Sequence, residues 1–339
     1  MLSPETLSKA RPRPAAIRVT APARLHLGFL DLHGGLGRRY GSIGLALDQP
    51  ATVVTVSRGT VGAAAASGAE ADRAARAIER FSQSLGLPGV YRADVDAAIP
   101  PHAGLGSGTQ LALAIGVALA RLEGRSETTR ALGETLDRGA RSAIGMAAFE
   151  RGGFIVDGGR GSREAAPPVL MQTDFPADWR ALLVLDTRTE GVHGEGELQA
   201  FARLPPFPER LAGHLCRLVL MRLMPGVVEA DLAAFGAGLT EIQQIVGAHF
   251  AAAQGGSPWT SPAVGRIVRA MGEAGAVGLG QSSWGPTGFA FVDSQDAADR
   301  LYCSLVEKAM AERVEIRIAR GRNSPASVEP APAFSQAKA

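Results

Sequence analysis

The stretch Pro100-Pro-His-Ala-Gly-Leu-Gly-Ser-Gly-Thr-Gln110 constrains this chain more than any other. It follows an alternating, strand-like segment, residues 90–99, and opens into an apolar run that reads as a helix to about Leu122. Glycines at 104, 106 and 108 permit a tight turn and a close approach of the backbone to a neighbour. A glycine-rich turn feeding a helix leaves backbone N–H groups facing the turn, and the helix dipole favours an anion there. Ser107 and Thr109 add hydroxyl donors. The competing reading is a strand-to-helix turn that holds no ligand. The Gly-Lys-[Ser/Thr] ending of a Walker loop is missing, and the glycine spacing does not fit a dinucleotide fingerprint. No lysine lies between residues 10 and 307, which excludes a P-loop or Schiff-base lysine from the body of the chain.

The rest of the chain mixes strand and helix signals without a long series of βαβ units, so an α+β fold is expected. Strands are expected at 17–20, 25–30, 51–57, 154–157, 181–186 and 314–319. Helices are expected at 70–85, 126–140, 208–222, 228–252, 262–273 and 296–311. A chain of 339 residues suggests two domains. The Gly-, Pro- and Ala-rich residues 158–178 are the natural boundary. This gives a tail at 1–15, a first domain at 16–165, a second at 175–320 and a Pro/Ala/Ser tail at 321–339. With 35 basic and 33 acidic residues the charges nearly cancel, so no nucleic-acid partner is expected. Cys216 and Cys303 have no close partner in sequence, and the N-terminus carries no apolar secretory core. A cytoplasmic protein with no membrane partner is therefore expected.

The glycine-rich loop resembles the phosphate-binding loop of the GHMP kinase superfamily. Pro22-Ala-Arg-Leu-His-Leu27 matches its first motif, and Val277-Gly-Leu-Gly-Gln-Ser-Ser-Trp-Gly-Pro-Thr-Gly288 matches its third. The resemblance covers residues 16–320. It implies a two-domain fold, a ribosomal S5 domain 2-like N-terminal half and a ferredoxin-like C-terminal half, with the site between them. The kinase chemistry is not matched. Gly145 stands at the position of the kinases' catalytic aspartate, Gly108 at the second serine of their loop, and the first-motif lysine is absent. The chain looks more like the superfamily's non-kinase branch, the β-ribofuranosylaminobenzene 5′-phosphate synthases. Ala23–Leu32, Gly104–Gln110, Phe149–Gly159 and Gly280–Gly288 all read as signatures of that branch. That likeness implies condensation of 4-aminobenzoate with phosphoribosyl pyrophosphate, releasing CO₂ and pyrophosphate, as in methanopterin biosynthesis. It also implies Mg²⁺, no organic cofactor and a possible homodimer. The alternatives are an ATP-dependent small-molecule kinase of the same fold and a non-catalytic ligand-binding member.

The matched motifs nominate the site residues. Arg24 and His26 alternate with leucines and share one strand face; with Asp157 they are the catalytic candidates. Asp157 precedes Gly158-Gly159 and could equally shape a turn. Asp31 and His33 are weaker candidates. His102, Gly104, Leu105, Gly106, Ser107, Gly108, Thr109 and Gln110 are the phosphate-binding candidates. Gln281, Ser282, Ser283, Trp284 and Gly285 offer amides and hydroxyls from the third motif, with Trp284 either stacked on the aromatic substrate or packed in the core. Glu134 is the metal candidate, competing with a salt bridge to Arg138. His193 lies in a polar, glycine-rich run that is either a flap or a surface loop.

Overall fold

The computed structural model describes residues 13–59, 65–135, 142–162, 166–191 and 194–332. In chain order the elements are β1 (Ala16–Asp31), β2 (Tyr40–Arg58), β3 (Ala65–Gly68), α1 (Ala71–Ser84), β4 (Tyr91–Ala97), α2 (Ser107–Leu122), α3 (Thr129–Thr135), α4 (Ile144–Glu150), β5 (Phe154–Asp157), β6 (Val169–Thr173) and β7 (Arg180–Leu185). They continue with α5 (Gly194–Arg203), α6 (Glu209–Leu218), α7 (Met224–Val228), α8 (Leu232–Phe250), α9 (Pro262–Glu273), β8 (Val277–Gln281), β9 (Gly288–Val292), α10 (Gln295–Ala311), β10 (Glu315–Arg320) and β11 (Ser327–Ala331). The strands form a seven-stranded sheet, β11-β1-β2-β4-β3 with β5 on β2 and β6 on β5, and a four-stranded sheet, β10-β7-β9-β8. The architecture is α+β.

The two strands expected at 17–20 and 25–30 are one strand, β1, whose register against β2 shifts between Pro22 and Ala23 and again between His26 and Gly28. A bulge moves a strand's alternation by one residue, so the same parity changes face. Ile17, Val19 and Ala21 pack with Ile78 and Phe81 of α1 and Leu111 and Ile115 of α2. After the first shift, Leu25, Leu27 and Phe29 join a different core with Leu183 of β7, Phe235 and Leu239 of α8 and Phe289 of β9. That second core joins the two sheets.

The α8 sequence carries its apolar residues at helical spacing, and Phe235, Leu239, Ile242, Val246 and Phe250 are all buried. Asp231 caps it by accepting from Ala234 N–H. The helical run 209–228 is long and apolar enough to cross a membrane by length and composition alone. Its Ala212, Leu215, Leu218, Val219 and Leu223 are buried in the core between the sheets, whereas Leu220, Met221 and Val228 on the same run are exposed.

Two sequence expectations are corrected. Residues 321–339 read as a loose tail, yet 327–331 form β11, an edge strand antiparallel to β1 with Ile17 opposite Pro330. Backbone ladders do not require apolar side chains, and proline is tolerated on an edge strand, so composition hid it. The presumed boundary at 158–178 contains β6, which pairs with β5 and carries the first sheet to Thr173. At the other end, Arg13 forms an ion pair with Glu123 at 3.1 Å; residues 1–12 lie outside the described residues.

Candidate active site

The three matched motifs meet at one atom, the carbonyl oxygen of Gly104. It accepts from Arg24 Nη1 of β1 (2.6 Å) and from Ser282 Oγ in the β8–β9 turn (2.7 Å). Ser282 Oγ accepts in turn from the His26 N–H (2.9 Å), and Arg24 N–H donates to Leu105 O (3.1 Å). Glycines allow this convergence. A Cβ on Gly104, whose φ is +80°, would lie 2.2 Å from Ser282 O, and one on Gly285 would lie 2.4 Å from the Ala103 carbonyl. Gly191 completes the contact, its N–H donating to His102 O at 3.0 Å.

Beside this junction the N-terminus of α2 is open. Its N-cap is Gly106, with no side-chain cap and no acidic residue in the first turn. Thr109 and Gln110 N–H both donate to Gly106 O, while the N–H groups of Ser107 and Gly108 have no acceptor among the described residues. The rest of α2 is buried almost all round, so this end alone is presented to a ligand. Such an end binds an anion through free N–H groups and the helix dipole. Arg24 supports the loop from beneath: a Cβ on Gly106 would sit 3.1 Å from its Cγ. Gln110 is fully buried, donating through Nε2 to Gly145 O at 2.8 Å and leaving Oε1 without a partner.

Three other candidates are placed away from ligand chemistry. Trp284 is 1% exposed and stacked on Phe250 (centroids 4.2 Å apart, planes 11° apart), so it is core and its ring face is not free for a substrate. Asp157 is fully buried and accepts from Ser42 N–H (3.0 Å), Ser142 Oγ (2.9 Å), Ala143 N–H (2.9 Å) and Gly159 N–H (2.9 Å). It ties β2, the start of α4 and the Gly158-Gly159 turn together, with no lone pair left for a substrate. Asp31 accepts from His33 N–H (2.7 Å) and Gly34 N–H (2.8 Å) and shapes the β1–β2 turn.

Burial outweighs these donors and raises the Asp157 carboxyl above its ordinary range. The native chain therefore holds this proton to higher pH than the unfolded chain does. The associated stability is full below the unfolded value and is lost as pH rises through the folded one. Asp157→Asn is expected to remove that pH slope. It should also lower stability by about 1–3 kcal/mol, since an amide NH₂ would face N–H donors. Urea unfolding midpoints from pH 4 to 8 check both.

Among the described residues, no three His, Cys, Asp or Glu side chains gather as a metal site. The side chain of Glu134 and residue His193 lie outside the described residues. Mg²⁺ is ordinarily bound by one or two carboxylates together with substrate phosphates, and the Asp157 carboxylate, engaged by four donors, is not free to serve as one.

Residues 72–153 match the GHMP kinases N terminal domain and residues 223–312 the GHMP kinases C terminal domain. The β-ribofuranosylphenol 5′-phosphate synthase of Methanothermobacter thermautotrophicus is 34% identical over 297 residues, covering 82% of this chain and 89% of that protein. The enzyme of the same name from Archaeoglobus fulgidus is 33% identical over 292 residues, covering 82% and 88%. This chain belongs to the β-ribofuranosylphenol 5′-phosphate synthase family of the GHMP kinase superfamily. Its fold is shared with homoserine kinase from Cytophaga hutchinsonii (TM-score 0.65, 18% identity, 97% of this chain and 100% of that one). It is shared also with mevalonate diphosphate decarboxylase from Staphylococcus aureus (TM-score 0.63, 14% identity, 93% and 98%).

Around the junction, this member of the synthase family uses residues that motif reading missed. Gln243 of α8 donates through Nε2 to Leu27 O (2.8 Å) and accepts through Oε1 from Gln281 N–H (2.9 Å), joining β1 to β8. Its signal was an amide on the apolar stripe that carries Leu239, Ile242 and Val246. Thr260 N–H donates to Gln281 Oε1 (2.7 Å), and Thr260 Oγ1 lies 2.6 Å from Gln254 Oε1. No sequence pattern marked Gln254 or Thr260, because long-range folding alone brings them to the third motif.

Proposed function

We propose that this protein transfers the phosphoribosyl group of phosphoribosyl pyrophosphate to a 4-substituted benzoate, with loss of CO₂ and pyrophosphate. The open, glycine-capped N-terminus of α2 beside the Gly104 junction carries the proposal, since the donor substrate is defined by its phosphates. The names of the archaeal relatives support a ribosylated aromatic phosphate as product.

The reaction suits a site that positions and neutralises rather than one that titrates. The bond from the anomeric carbon to pyrophosphate breaks, its electron pair leaving with pyrophosphate. The ring carbon bearing the carboxylate bonds to the anomeric carbon. The carbon–carboxylate bond then breaks, and its electron pair restores the aromatic ring as CO₂ departs. No proton need be removed from the acceptor. Gly145, with Thr109 Cγ2 3.2 Å from where its Cβ would be, offers no general base, and none is called for. The Ser107 and Gly108 N–H groups stabilise charge on a phosphate, and alignment of the two substrates supplies the rest.

Purified protein given phosphoribosyl pyrophosphate and carboxyl-labelled 4-aminobenzoate or 4-hydroxybenzoate is expected to release labelled CO₂ only when both substrates are present. Mass spectrometry should find the matching aryl riboside phosphate. No release from either acid by folded protein sinks the reading, and phosphoryl transfer from ATP becomes the reading to test.

A further inference from the structure

After β7 the chain reaches the junction as a short strap, residues 186–191, and both of its ends are fixed. At its start Asp186 is buried, and its carboxylate accepts from five donors: Arg188 N–H (3.1 Å), Nε (2.9 Å) and Nη2 (3.1 Å), Thr189 Oγ1 (3.3 Å) and Ser261 Oγ (2.8 Å). The strap thus curls back on Asp186 and is tied to Ser261, the N-cap of α9. Thr260, the residue before that cap, places Oγ1 3.2 Å from Trp284 O in the β8–β9 turn. At the far end Gly191 is wedged between that turn and the phosphate loop. Its N–H donates to His102 O at 3.0 Å, and a Cβ on it would lie 2.6 Å from both Trp284 O and Gly285 Cα. The loop and the turn each carry a non-glycine residue with left-handed backbone, His102 (φ 55°) and Ser283 (φ 57°). Side chains rarely adopt that backbone, and it persists only where the surroundings hold it.

Resting on the donor site proposed above at the N-terminus of α2, we infer that Asp186 is a positioning residue for the donor phosphates: it fixes the strap, and the strap seats the phosphate loop against the β8–β9 turn. Its two oxygens are taken up by the five donors, so it acts through the strap and not on the ligand. The N–H groups of Ser107 and Gly108 hold a phosphate only while the loop that leads into them keeps its place. The aromatic acid does not depend on this device, so the effect of loosening it falls on one substrate.

Asp186→Asn keeps the size of the side chain but sets an NH₂ group against donors, which frees the strap. The KM for phosphoribosyl pyrophosphate is expected to rise about tenfold, the scale of one net hydrogen bond, while the KM for the aromatic acid holds. Gly191→Ala, which lifts the other end, should raise the same KM. The double variant should cost no more than the larger single change, because both act through one strap. Asp231→Ala, which uncaps α8, should melt lower and leave both KM values alone. Ser261→Ala removes one of the five donors and serves in place of Asp186→Asn if that variant does not fold; the same KM should rise. Both KM values held, both raised alike, a loss confined to kcat, or additive losses in the double variant overturn the assignment. Should no acid turn over, calorimetric titration with inorganic pyrophosphate separates the two claims. Binding weakened about tenfold in Asp186→Asn but not in Asp231→Ala keeps the strap while the reaction falls. Binding weakened alike in both variants or in neither, or none to the native protein, overturns the strap as well.

Discussion

Gly104→Ala is expected to lower stability by at least about 3 kcal/mol and turnover by about a hundredfold or more. The new Cβ would sit 2.2 Å from the Ser282 carbonyl oxygen, with the Gly285 Cα at 3.0 Å. Both neighbours are backbone, so no side chain can swing away. A left-handed φ adds roughly 1–2 kcal/mol for any residue with a Cβ. Relief requires the loop and the β8–β9 turn to part, which breaks the Arg24 and Ser282 bonds to the Gly104 carbonyl and moves the end of α2. Misplacing a reacting group by an ångström costs about a hundredfold. Gly86→Ala is the control, because that residue has φ +58° and nothing within 4 Å of its Cβ. It should cost roughly 1 kcal/mol and leave turnover alone. Unfolding midpoints and turnover of the two variants, side by side, decide the matter. If they behave alike, Gly104 does not hold the junction.

Ser107→Asp should separate stability from function. A carboxylate in the first turn of α2 meets the helix dipole and two open N–H groups, which favours folding by about 0.3–1 kcal/mol. The same carboxylate occupies the place assigned to a phosphate and repels it. The KM for phosphoribosyl pyrophosphate is expected to rise about a hundredfold or more, taking unscreened repulsion of about 4 kcal/mol at close range as the upper bound. The KM for the aromatic acid should change little. Thermal melting and initial rates check this. A melting temperature that holds while the phosphate KM also holds would place the donor phosphates elsewhere.

Much of this protein was legible in one dimension. The strand, turn and helix around Gly104–Gln110 follow from local rules: glycine for left-handed backbone, an apolar run for a buried helix, and no capping side chain for an open N-terminus. Asp231, Ser261 and Ser294 stand ahead of α8, α9 and α10 and cap them as their side chains allow. These interactions reach three or four residues along the chain, so sequence determined them.

What sequence could not determine is what its polar residues face. Trp284 and Asp157 sit in motifs matched correctly, yet one is stacked in the core and the other is enclosed by four donors. Solvent exposure depends on elements far away in the chain. Gln243, Gln254 and Thr260 carry no local mark, and they meet Gln281 only because α8 and the segment after it fold against β8. β11 escaped notice because a backbone ladder depends on the neighbouring strand and not on the side chains of the strand that joins it. Local chemistry chose the loop and the helix end. The tertiary structure decided which groups face them, because burial and hydrogen-bond partners are set by contacts across the whole chain.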